Sequence, residues 1–263
     1  MNQCRIFLLI QLVALWPLWG WYVMRMADSS DEPWGLLALI TALIFLFHNK
    51  NHRIKPEKPH LTLPAILMVV YAALFHLSPP LLRAIIGVTS IACMISACQF
   101  GTPIHWGVWG LFLMSLPIIS SLQFYCGFPL RVIVGDIAAL LLQLAGLPVV
   151  RDGTILNWCG NLIRIDAPCS GVRMLWAGFY LTFTLACFFK LTSAKTLTVA
   201  LFTLSVIIFG NVLRATALFY IEAGIVSVPS WTHTLCGLII FVLACFIILF
   251  ITQKVKEVTL CDP

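Results

Sequence analysis

Charge is what this sequence has least of. Asp, Glu, Lys and Arg together make up 10% of its 263 residues, against 61% hydrophobic residues. A soluble domain carries about 25% charged and about 45 to 50% apolar residues. Too little polar surface remains to coat a globule in water, which excludes a soluble enzyme or binding module and leaves a single membrane domain over residues 1–263. Spacing that would bind zinc is also missing, since no CxxC pair and no Cys/His cluster occurs; no metal and no cofactor is expected. Neither an internal repeat nor a low-complexity tract is found. The first apolar segment, Ile6 to Met24, has no small-residue cleavage site of the usual kind and is expected to stay as a span. Basic residues form no stripe, so the net charge of +6 excludes a nucleic-acid partner and reads as membrane topology.

Apolar runs fill the rest of the chain. A span needs roughly 20 apolar residues to cross about 30 Å of hydrocarbon. Candidates are Ile6 to Met24, Trp34 to Phe47, Leu61 to Leu77, Leu81 to Gln99, His105 to Phe124, Pro129 to Leu147, Met174 to Phe189, Leu197 to Ile221 and Thr232 to Thr252. Lys50, Arg53, Lys55 and Lys58 share one loop, Lys190 and Lys195 bracket another, and Lys254 and Lys256 follow the last span; such ends face the cytoplasm. With Arg5 inside, five crossings put Phe128 outside. A sixth full crossing would then bring Arg151 to Asp166 inside. If Pro129 to Leu147, which carries Arg131 and Asp136, instead lies in the interface or re-enters, all seven lysines are cytoplasmic and no charge is buried in lipid. The expected fold is therefore an all-α polytopic membrane protein of about eight transmembrane helices, with one interfacial or re-entrant segment and a small external hairpin over residues 149–166. Turn signals at Arg151-Asp152-Gly153 and Cys159-Gly160-Asn161 set that hairpin.

Ten cysteines would make a disulfide framework in a small secreted chain, but Cys93, Cys98, Cys187, Cys236 and Cys245 fall inside apolar runs and read as small hydrophobes. Cys126 and Cys159 are both external in this topology, and spacing leaves their pairing open. Cys169 differs. It lies in Ala167-Pro168-Cys169-Ser170-Gly171-Val172-Arg173, where the hairpin turns into the next helix. Amide donors, the positive end of a helix dipole and Arg173 four residues on all favour a thiolate there. The plainer alternative is a helix start with an inert thiol.

What raises Cys169 above that alternative is the depth at which the next polar residues fall. From Leu197 the chain climbs seventeen residues to Arg214, roughly 25 Å at helical rise, back to the level of Cys169. Asn211 and Arg214 share a helical face inside an apolar run, where a charge must find a polar cavity or partner. For Arg214 that partner could be Glu222. His233 then opens the final span at the same outer level. A thiol nucleophile, an imidazole acid/base and a guanidinium donor to an oxyanion make a complete set for acyl transfer.

Pro168-Cys169-Ser170-Gly171 with Arg173, then Asn211 and Arg214, then His233 with Gly237, closely resembles the exosortase/archaeosortase family of membrane transpeptidase-like enzymes. Asp31-Glu32-Pro33-Trp34-Gly35 is similar to that family's external loop after the first span. The resemblance implies Cys169 as nucleophile, Arg214 as the oxyanion or substrate-orienting residue and His233 as general acid/base, with Ser170, Gly171, Arg173 and Asn211 supporting them. It also implies membrane-anchored protein substrates that end in a short motif, a transmembrane helix and a basic cluster. The bacterial branch is tied to exopolysaccharide and surface attachment, which implies an inner-membrane location with the site at the outer, periplasmic face. Two other readings use the same residues: a transporter with Arg214, Asp136 and Glu222 along its path, and a noncatalytic scaffold of a polysaccharide assembly complex. His76 and His105 read as interfacial residues, and Trp16, Trp19, Trp21, Trp106 and Trp109 as an interface belt.

Overall fold

A computed structural model describes residues 2–27, 33–48, 60–166, 170–229 and 231–257. Asp31, Glu32, the basic residues from Lys50 to Lys58, and Ala167 to Cys169 lie outside the described residues. In chain order the elements are α1 (Asn2–Ala14), α2 (Trp16–Ala27), α3 (Trp34–His48), α4 (Thr62–Ala73), α5 (Pro80–Gln99), α6 (Trp106–Met114), α7 (Ile119–Leu144), β1 (Val149–Asp152), β2 (Ile155–Trp158), β3 (Asn161–Arg164), α8 (Val172–Phe188), α9 (Ser193–Glu222) and α10 (Trp231–Glu257). The chain forms two compact units, residues 1–118 with 183–196, and residues 119–182 with 197–263.

The first unit is built around α5, whose buried residues run from Ala84 to Ala97. Helices α1, α2, α4 and α6 pack on it. The first expected span is bent by 57° between α1 and α2. Pro17 sits at the second position of α2, where it cannot donate to the carbonyl four residues back, and Leu15 takes up the break. In lipid, helices gain little by hiding apolar faces from one another, so small residues and polar bonds hold them together. Gly87 of α5 lies directly beneath Leu18, and Gly35 of α3 lies on the Ser115 carbonyl. Gln11 Nε2 donates to Ser90 Oγ at 2.5 Å, and Ser90 in turn donates to the Pro64 carbonyl at 2.9 Å, tying α1, α5 and α4. His105 accepts from the Val108 amide and caps α6, a structural role.

One cysteine assignment is corrected here. Cys98 is not a packed thiol: it forms a disulfide with Cys4, with Cα atoms 6.0 Å apart, joining the start of α1 to the end of α5. Ninety-four residues separate the two, and no local signal pairs them. Cys126 and Cys159 are both free thiols.

In the second unit, α7 departs from expectation. The break expected between His105 to Phe124 and Pro129 to Leu147 falls earlier: α6 ends at Met114, and residues 119–144 make one 26-residue helix with Pro129 inside it, long and apolar enough to cross a membrane. Its charges are met by partners the sequence does not display. Asp136 pairs with Arg151 Nε of β1 at 2.5 Å, and Arg131 Nε donates to the Gly127 carbonyl at 3.3 Å. Gly135 lets the sheet come close, since a Cβ there would stand 3.1 Å from Ile165 and 3.3 Å from Arg151.

The expected hairpin is a three-stranded antiparallel meander in the order β1-β2-β3. Val149, Leu156 and Ile163 turn to one face and form a core with Leu142 and Phe219. Beyond it, α8 and α9 are joined by the Thr182–Thr203 hydroxyl pair at 2.6 Å and by Gly178, which sits against Ile207 and Thr203. Helix α10 has the least protein around it: Leu238, Val242, Leu243, Phe246 and Phe250 are all exposed. These residues share one bare apolar face, which marks the lipid-facing side of the helix. Among the described residues four helices are long and apolar enough to cross a membrane, or five with the bent α1–α2 pair counted as one, and α3, α4 and α8 are shorter apolar helices.

Candidate active site

The residues singled out in the sequence fall in the second unit, where three contacts order them. The first fixes the segment entering α8. Ser170 is buried, donates its hydroxyl to Gln123 Oε1 of α7 at 2.8 Å, and accepts from the Val172 amide at 3.4 Å. Gly171 adopts φ +79°, a left-handed conformation that glycine takes without steric cost. A Cβ on Gly171 would lie 3.0 Å from Asn211 Cγ and Nδ2. The buried Asn211 of α9 therefore forms the floor on which this turn rests. Helix α8 begins at Val172, so Cys169, itself outside the described residues, precedes it by three positions. Arg173, in the first turn of α8, is exposed.

One helical turn beyond Asn211, Arg214 lays its guanidinium across Gly237 of α10. A Cβ at Gly237 would meet Arg214 Nε at 3.1 Å and Cζ at 3.5 Å. That nitrogen is buried and has no hydrogen-bond partner among the described residues. A buried N–H donor left unmatched costs about 1 to 3 kcal/mol, so the group calls for a partner. Gly210 approaches Ile240 in the same way, which sets the register between α9 and α10.

The third contact lies at the end of α9 and the start of α10. Glu222 Oε1 stands 3.9 Å from His233 Nε2, with the side chains 41% and 44% exposed. Glu222 thus faces His233 rather than Arg214, the partner considered for it from the sequence. Asp166, just after β3, is near enough to repel the Glu222 carboxylate.

Two residues here were not singled out as supports in the sequence. Gln123 carries no local signal, being one polar residue in a helix 47 positions before Ser170. Glu222 was visible as an outer-level charge, and its nearness to His233 follows from the short connection over residues 223–230. Among the described residues no cluster of three His, Cys, Asp or Glu groups could hold a metal ion.

Apolar helices, several of them long enough to cross a bilayer, define a multi-pass membrane protein. A family model described as transmembrane exosortase matches residues 2–250, and the chain belongs to that family. No curated protein and no solved structure matches the chain. Membership carries the family's general role, transpeptidase-type protein sorting in the membrane by a cysteine transpeptidase or protease.

Proposed function

We propose that this exosortase cleaves the C-terminal sorting signals of exported proteins, each a short motif, a transmembrane helix and a basic cluster, through Cys169, Arg214 and His233. The site would lie at the outer face of the bacterial inner membrane and serve exopolysaccharide-associated surface display. The observation that carries this reading is the buried Arg214 Nε, unmatched among the described residues and held on Gly237 one turn from Asn211, which underlies the turn that follows Cys169. A guanidinium held there can donate to a developing oxyanion without reorganising.

The chemistry follows from these groups. His233 accepts the Cys169 proton, and the thiolate attacks the scissile carbonyl carbon, forming a C–S bond and an oxyanion that Arg214 stabilises. Collapse breaks the C–N bond, and the His233 proton passes to the leaving amine. A thioester remains. An acceptor amine or water then attacks it and returns the electron pair to sulfur. The transport reading has less support, since Asp136 is paired with Arg151 and Glu222 faces His233.

The test uses the chain in liposomes with a tail-anchored substrate and hydroxylamine. A thioester yields a cleaved product ending in a hydroxamate, detected by mass spectrometry. Cleavage that never incorporates hydroxylamine would remove the acyl-enzyme step. A second expectation concerns Gly237→Ala. The new methyl pushes the guanidinium by a few tenths of an ångström, and turnover falls about tenfold while extraction and thermal stability stay near wild type; unchanged turnover would separate Arg214's position from the chemistry.

A further inference from the structure

We infer that Glu222 is a positioning residue for His233, its carboxylate holding the imidazole so that the other ring nitrogen carries the proton to and from the reacting atoms. This rests on the functional reading above and adds a fourth residue to it.

Helix electrostatics make the pairing informative. His233 lies in the first turn of α10, and Glu222 closes α9. A helix N-terminus attracts an anionic side chain and a C-terminus a cationic one. Each side chain thus faces the end of the helix opposite it that suits its own charge type. An ion pair this exposed contributes little to folding, so stability does not explain it. It fits an acid/base that must hold a proton for part of each cycle and that needs a counter-charge when it does. Among the described residues Glu222 is the carboxylate within ion-pair reach of His233; Asp166 acts on Glu222 without pairing to the imidazole. At 3.9 Å the pair is longer than a hydrogen bond, and protonation of the ring supplies the attraction that closes it.

The test compares Glu222→Gln and Glu222→Asp in the liposome assay. The amide keeps the shape and loses the charge, so kcat falls about tenfold to a hundredfold with KM unchanged, and aspartate restores most of the loss. Wild-type kcat in Glu222→Gln overturns the inference, as does a loss carried by KM or one that aspartate leaves unrepaired. Cys169→Ala in the same assay separates the two levels: if it still processes substrate, the cysteine reading itself fails, whereas an inactive Cys169→Ala beside an unimpaired Glu222→Gln removes the positioning role alone.

Discussion

Cys169→Ala lowers processing by about 10⁴-fold or more, leaving substrate uncleaved with its tail attached. The expected size follows from the division of labour. Without sulfur no thioester can form, and Arg214 and His233 are left to assist direct attack by water on an unactivated amide. Cys93 and Cys187 are buried among apolar side chains, and Cys4 and Cys98 are consumed in a disulfide. Cys169→Ser provides the graded comparison, since a hydroxyl is a far weaker nucleophile than a thiolate. Gel mobility of a tagged substrate in membranes reads both variants. Cleavage by Cys169→Ala within tenfold of wild type would show that the bond is broken elsewhere.

The second large effect comes from Arg214→Lys, a change that keeps the charge. Loss of one oxyanion donor costs about 10² to 10³ in kcat, and the same range is expected here. The guanidinium packs against Gly237 with its Nε buried. A lysine ammonium is a point charge on a flexible stem; it can neither lie in that slot nor present a fixed fork of donors. Turnover should fall in kcat with KM little changed. Arg214→Lys with wild-type kcat would reduce Arg214 to a packing residue. Poor extraction together with proportionate loss of bound substrate would place its role in α9–α10 assembly.

Much of the helical frame was legible because the last spans are long, apolar and closed by polar ends. Residues Leu81 to Gln99, Met174 to Phe189, Leu197 to Ile221 and Thr232 to Thr252 each fall on one helix to within a few residues, apart from the longer polar ends of α9 and α10. The continuity of α7 through Pro129 was not legible, for a physical reason. Arg131 and Asp136 look costly in lipid when taken singly, and the neutralising Arg151 arrives only when β1 folds onto α7. The Cys4–Cys98 bond and the Gln123–Ser170 bond are likewise tertiary facts with no local pattern. For the site, a constant rise converts residue count to depth and puts Arg214 and His233 at one level, whereas His233 faces Glu222, eight residues beyond Arg214 on α9. Spacing could not say which side chains meet across helices: Glu222 was one partner open to Arg214, and it faces His233.

The bareness of α10 has a consequence for how this protein meets its bilayer. The helix that carries His233 and Gly237 is bare along one whole face, so acyl-chain length, through hydrophobic mismatch, acts on its tilt directly. A thicker or thinner membrane would swing the imidazole end relative to α9, making lipid composition a tuning element of the site.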